Sequence, residues 1–122
     1  MARILVIEDD DWVRGVVNAA LLRDGHVVTE ACNGKEGLAR YRPETIDLVV
    51  TDLIMPEIEG LETIAELKRK FPTIKILAVS GGGRMAPESQ LKVASKMGAR
   101  GVLAKPFSVE ALSAAVQQLL AS

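Results

Sequence analysis

Five short runs of strand-forming residues divide this chain at nearly regular intervals, and each is followed by apolar residues at helical spacing. The runs are Ile4-Leu5-Val6-Ile7, His26-Val27-Val28-Thr29-Glu30-Ala31, Leu48-Val49-Val50-Thr51-Asp52, Ile74-Lys75-Ile76-Leu77-Ala78-Val79-Ser80 and Gly101-Val102-Leu103-Ala104. After the first, Val13, Val16, Val17, Ala20 and Leu21 line one side of a helix, with Arg14, Asn18 and Arg23 on the other, and Gly25 ends it. Asn33-Gly34 opens a short helix through Leu38 and Tyr41 that Pro43 stops. Gly60 marks a turn before Leu61, Ile64, Leu67, Lys68 and Phe71; Leu91, Ala94 and Met97 form a fourth helix ended by Gly98; Val109, Leu112, Val116, Leu119 and Leu120 form the last. Such alternation predicts an α/β fold, with a parallel sheet covered by helices on both faces. The second run mixes polar and apolar residues most, which suits a half-exposed edge strand. At 122 residues the chain has the size of one domain, expected to span 1–122.

Right-handed crossovers place the C-terminal ends of parallel strands on one rim, where open α/β sheets bind ligands. The third run is an unbroken apolar strand that delivers Asp52 to that rim, and Pro56 soon blocks any continuation. Taken alone, Asp52 is as readily a turn-capping residue as a working carboxylate. The other strand ends break the tie. The first run opens onto Glu8-Asp9-Asp10-Asp11, the densest acid in the chain. A helix start needs one such residue, Asp10 or Asp11, to cap free amides, which leaves Glu8 and Asp9 spare. The fourth run ends on Ser80, and the fifth delivers Lys105 followed by Pro106. A solvated surface lysine is the commoner case in general, but Lys105 stands between a strand and a proline, at the same rim.

Two carboxylates about 4 Å apart repel by roughly 4 kcal/mol at an effective dielectric of about 20. Three acids together therefore call for cations beyond Lys105. An all-oxygen site of carboxylates, a backbone carbonyl and waters suits Mg²⁺ better than Zn²⁺. The rim reads as a site for a metal and a phosphate.

Other classes are poorly supported. Fifteen Lys and Arg against sixteen Asp and Glu give a net charge of -1, which draws the chain to neither nucleic acid nor an anionic membrane. Its apolar runs are far too short to cross a bilayer. The single cysteine, Cys32, cannot form an internal disulfide, and Met1-Ala2-Arg3 leads straight into a strand rather than a signal peptide, so the cytoplasm is the expected compartment. His26, the only histidine, is expected at the surface, since metal sites usually recruit several ligands. Gly81-Gly82-Gly83 carries neither the dinucleotide fingerprint nor the P-loop ending and is expected to be a mobile loop beside Ser80.

Four segments together carry a resemblance: Ile4-Leu5-Val6-Ile7-Glu8-Asp9-Asp10, Asp52-Leu53-Ile54-Met55-Pro56 with Gly60, Val79-Ser80-Gly81-Gly82-Gly83, and Lys105-Pro106-Phe107. In order and in spacing they resemble the signatures of the receiver domain of two-component response regulators. The resemblance covers essentially the whole chain. It implies a flavodoxin-like (βα)5 doubly wound sheet of strand order 2-1-3-4-5 and a cis peptide before Pro106.

The same resemblance implies roles. Asp52 is the phosphoacceptor, taking a phosphoryl group from the phosphohistidine of a sensor histidine kinase or a histidine phosphotransfer protein. Asp9 and Asp52 bind Mg²⁺ directly, the Ile54 carbonyl is a third ligand, and Glu8 acts largely through water. Lys105 pairs with one phosphoryl oxygen and the Ser80 hydroxyl moves to another, which biases a two-state surface. A downstream protein is expected to dock on the fourth helix, fifth strand and fifth helix, between Met85 and Gln118; no DNA-binding or catalytic domain is expected after residue 122. One departure stands out: the position three before Lys105, often Tyr or Phe in this family, is Val102. An aromatic rotamer switch is therefore absent. Ile54 and Gly82 flank the approach of water and are expected to tune the lifetime of the phosphorylated form.

Two other readings compete with this signalling switch, which catalyses only its own phosphoryl transfer and dephosphorylation. A Mg²⁺-dependent aspartyl phosphotransferase or phosphatase would commonly carry a second Asp two residues after the nucleophile, where this chain has Ile54. A receiver-like adaptor that is never phosphorylated would not need the complete set of acids, Ser80 and Lys105. Trp12, three residues after Asp9, is expected to report Mg²⁺ binding by its fluorescence.

Overall fold

The computed structural model describes residues 2–52, 59–80 and 87–122. Five parallel strands alternate with five helices: β1 (Arg3–Ile7), α1 (Asp11–Arg23), β2 (Val27–Ala31), α2 (Gly34–Arg40), β3 (Leu48–Asp52), α3 (Glu59–Lys70), β4 (Ile76–Ser80), α4 (Pro87–Met97), β5 (Gly101–Ala104) and α5 (Val109–Ala121). The strand order is β2-β1-β3-β4-β5, as the resemblance implies, and the fold is flavodoxin-like. From β1 to β2 the chain steps one way across the sheet, and thereafter it steps the other way. Right-handed crossovers then divide the helices between the faces.

Side-chain alternation builds a core on each face. Leu5 and Ile7, Val49, Ile76 and Ala78 pack against Tyr41, Ile64, Leu67 and Ala94, from the α2 end through α3 and α4. Ile4 and Val6, Leu48 and Val50, and Leu77 and Val79 pack against Val17, Ala20 and Leu21 of α1 and Leu112, Val116 and Leu119 of α5. All of β3 is buried, as befits a strand covered on both faces. The edge strand β2 is half exposed, as its mixed composition predicts.

Helix boundaries follow local chemistry. Asp10, Asn33 and Ser108 cap α1, α2 and α5 with side-chain oxygens that accept from backbone N–H groups in the first turn. Gly25, at φ +88°, ends α1: its N–H donates to the Leu22 carbonyl, and His26 N–H donates to that of Leu21. Gly98, at φ +112°, ends α4 in the same manner, with Gly98 N–H on Ser95 and Ala99 N–H on Ala94.

The structure corrects several local expectations. Gly60 lies inside the first turn of α3, which starts at Glu59, rather than in the turn before it. β4 begins at Ile76 instead of Ile74, because Ile74 N–H closes a turn onto the Phe71 carbonyl while its side chain enters the core. The buried stripe of α1 is rotated toward Leu21, so that Asn18 is buried and Val16 is 39% exposed. His26 is buried rather than superficial. The turn after Gly25 carries it under the sheet, where its Nδ1 accepts from Ala2 N–H at 3.1 Å and the imidazole meets the need of a buried amide. The side chains of Leu61 and Leu91 and the segment with Gly81, Gly82, Gly83 and Met85 lie outside the described residues.

Candidate functional site

Strand order reverses between β1 and β3, and at that point the two strands end side by side: Ile7 is level with Thr51. The next residue on each strand is acidic. Glu8 and Asp52 are each only 4% exposed, whereas Asp9 is exposed. One carboxylate oxygen from each of Glu8, Asp9 and Asp52 lies within 4.8 Å of the others. From the far edge, β5 brings Lys105 one residue past Ala104, and its ammonium donates to Asp52 Oδ2 at 2.9 Å and to Glu8 Oε1 at 3.3 Å. The Lys105–Pro106 peptide is cis, as the resemblance implies.

The sheet thus gathers Glu8, Asp9, Asp52 and Lys105 from three strand ends. Ser80 closes β4 with its backbone level with Ala104, so it ends at the same rim, while its side chain lies outside the described residues. Ile54 also lies outside them. Of the four clustered acids, Asp10 is the cap: its Oδ1 accepts from Trp12 N–H at 2.9 Å and from Val13 N–H at 3.1 Å. Asp11 turns away to pair with Arg14. Trp12 is 77% exposed at the start of α1, beside the acidic loop.

Charge is out of balance in this crevice. Burial, then hydrogen bonding to Asp52 and the Asp52 charge, push the Glu8 carboxyl up to about 8; the Lys105 charge opposes the rise without cancelling it. For Lys105, burial favours the neutral amine, but Asp52 and then Glu8 outweigh it and hold the ammonium above its ordinary range. At neutral pH without metal, Glu8 is therefore largely protonated. With the Lys105 ammonium on Asp52, the proton kept by Glu8 spares the crevice a second buried negative charge. A hard divalent cation, in taking the place of that proton, fits this all-oxygen donor set, as Mg²⁺ does.

A residue that sequence reasoning placed merely on the polar side of α1 also reaches the site. Arg14 Nη1 donates to the backbone carbonyl of Glu8 at 2.8 Å, while its Nε meets Glu30 Oε1 on β2 at 3.1 Å. No spacing rule signals this contact, because it depends on how α1 packs over the end of the β1–β2 pair.

Comparison with known proteins agrees with this geometry. Residues 4–117 match the response regulator receiver domain family. The chemotaxis protein CheY of Listeria monocytogenes is 31% identical over 119 residues, covering 97% of this chain and 98% of that one. The sensor kinase CckA of Brucella abortus is 36% identical over 121 residues, which make up 98% of this chain and only 12% of the kinase. Among solved structures, a response regulator receiver domain protein from Clostridium thermocellum superposes with a TM-score of 0.90 at 30% identity, over 99% of this chain and 95% of that one. No helix among the described residues is long and apolar enough to cross a membrane. An acid-lined switch point on this sheet, with a lysine reaching in from β5, joins these likenesses to one conclusion: the chain belongs to the response regulator receiver domain family of two-component signalling, whose general function is phosphorylation-dependent switching.

Proposed function

We propose that Asp52 accepts a phosphoryl group from the phosphohistidine of a sensor histidine kinase or a histidine phosphotransfer protein, and that residues 1–122 act as one cytoplasmic signalling unit. The carrying observation is the placement of Asp52: a buried carboxylate at the end of β3, held by the Lys105 ammonium at 2.9 Å beside two more acids. A carboxylate oxygen of Asp52 attacks phosphorus in line, an O–P bond forms, the P–N bond to the imidazole breaks, and the imidazole leaves with the electron pair. Glu8, Asp9 and Asp52, with the Ile54 carbonyl, are the residues to hold Mg²⁺. When bound, this ion supplies the positive charge that lets two anionic groups approach.

Lys105 then has a new partner. Its ammonium holds Asp52 beforehand and is positioned to follow the charge onto a phosphoryl oxygen, while Ser80, from the neighbouring strand end, serves as the second phosphate sensor. Those movements would alter α4, β5 and α5, where an output protein docks. Val102 on β5 packs against the core of the α2–α4 face and has no aromatic ring, so no ring swing at this position carries the signal. The protein turns over no free substrate and catalyses only its own transfer and dephosphorylation.

The test is mass spectrometry after incubation with a small phosphoryl donor and Mg²⁺. The expected result is a single added phosphoryl group that is absent from Asp52→Asn. Equal labelling of the variant, or none of the wild type with several donors, would refute the assignment.

A further inference from the structure

We propose that Arg14 is a positioning residue for the phosphoryl-transfer site, bracing the loop that carries Glu8 and Asp9; this rests on the Mg²⁺ site proposed above. The connection from β1 to α1 is only residues 8–10, and it carries two of the three candidate metal-binding acids. Its N-terminal side is fixed by the sheet, since Glu8 N–H donates to the Ala31 carbonyl at 3.0 Å. Its C-terminal side is fixed by the helix, since Asp10 caps α1 and its carbonyl accepts from Arg14 N–H at 2.9 Å. Between them stands the peptide joining Glu8 to Asp9. That unit is planar and rigid, so the direction of its carbonyl sets how both flanking residues point. Arg14 Nη1 donates to this carbonyl at 2.8 Å.

The guanidinium is itself held from two other sides. Nε meets Glu30 Oε1 on β2 at 3.1 Å, and Nη2 meets Asp11 Oδ1 on α1. Three nitrogens of one planar group thus reach a loop, a strand and a helix, a geometry that a lysine ammonium on a flexible stem does not reproduce. The two carboxylates are exposed, Asp11 at 89% and Glu30 at 57%, and either pair alone would be loosely held; the guanidinium itself is sheltered, at 16% exposed, with the Glu8 carbonyl as its part-buried partner. Two carboxylates outside the crevice already balance its charge. Arg14 therefore acts on the site by aiming the Glu8–Asp9 peptide and not by adding positive potential.

The experiment measures Mg²⁺ affinity by calorimetry for wild type, Arg14→Gln, Arg14→Lys and Glu30→Gln, together with the Mg²⁺ dependence of phosphorylation by a small phosphoryl donor. Loss of a group that orients metal ligands typically weakens metal affinity by about 10- to 100-fold. Both Arg14 variants are expected to fall in that range, with lysine giving no rescue, and Glu30→Gln to weaken binding by a smaller factor. The half-saturating Mg²⁺ concentration for phosphorylation should rise in parallel, while the rate at saturating Mg²⁺ stays within about threefold of wild type. A merely structural role would not produce that split. Mg²⁺ affinities of Arg14→Lys and Glu30→Gln within twofold of wild type would overturn the proposal and leave the metal site standing. A wild type that fails to bind Mg²⁺ would instead overturn the reading of the site, and the brace with it.

Discussion

Mg²⁺ binding should expel a proton from Glu8, and the size of the effect follows from where that carboxyl sits. Burial and the neighbouring Asp52 raise it from 4.5 to about 8, so the metal-free site at pH 7 holds most of its Glu8 protonated. If Glu8 helps to bind the ion, it does so as the carboxylate. Apparent affinity should then fall by about 100-fold between pH 9 and pH 6, equivalent to about 2.7 kcal/mol. Calorimetric titration at pH 7 in two buffers of different protonation enthalpy should detect nearly one proton released per ion bound. The metal-free fold carries the opposite signature. A carboxyl with a raised folded-state value binds more protons in the native state than in the unfolded chain, so stability falls as pH rises. The Glu8 contribution is complete below about 4.5 and is lost by the time pH has passed through about 8. Glu8→Gln, which stays neutral, should match wild type near pH 5 and exceed it at pH 9 by a few kcal/mol, with about 5 kcal/mol as the ceiling. Urea unfolding without metal at both pH values measures this difference. An affinity flat within twofold from pH 6 to 9, with no dependence on buffer and no added stability of Glu8→Gln at high pH, would refute the reasoning.

Three further outcomes test the packing that supports the site. Gly37→Ala should destabilise by about 1–3 kcal/mol, because a Cβ there would overlap the Ile7 side chain directly beneath α2. His26→Leu should cost about 1–3 kcal/mol by leaving the Ala2 N–H without its acceptor, as read by urea unfolding. Phosphorylation should be unchanged, since His26 lies at the opposite rim from Asp52. Gly25→Ala, at φ +88°, should lose about 1 kcal/mol, measured in the same way.

Much of this molecule was already legible along the chain. Strand and helix differ in the period of their apolar residues, and a fully covered strand such as β3 has no polar face to disguise it, so alternation and the role of Asp52 as a rim residue could both be read locally. Right-handed crossovers already placed Glu8 and Asp52 at one rim, and the resemblance supplied the strand order that makes β1 and β3 neighbours, which no local pattern contains. What escaped the sequence were facts about orientation. Whether Asn18 or Val16 faced inward depended on how α1 rolls against its neighbours, and a histidine at the start of an edge strand gave no sign that a turn would fold it beneath the sheet.

The sequence by itself determined the alternating elements, a helix cap at Asp10 or Asp11, and the acids and lysine stationed at strand ends, because each of these depends on a few adjacent residues. Only the tertiary structure decided that Lys105 reaches both Asp52 and Glu8, that Glu8 is buried beside Asp52 and so keeps its proton, and that Arg14 clasps the loop carrying Glu8 and Asp9. Those are properties of groups far apart in the chain, and their energies depend on distance, burial and direction, which exist only once the chain has folded.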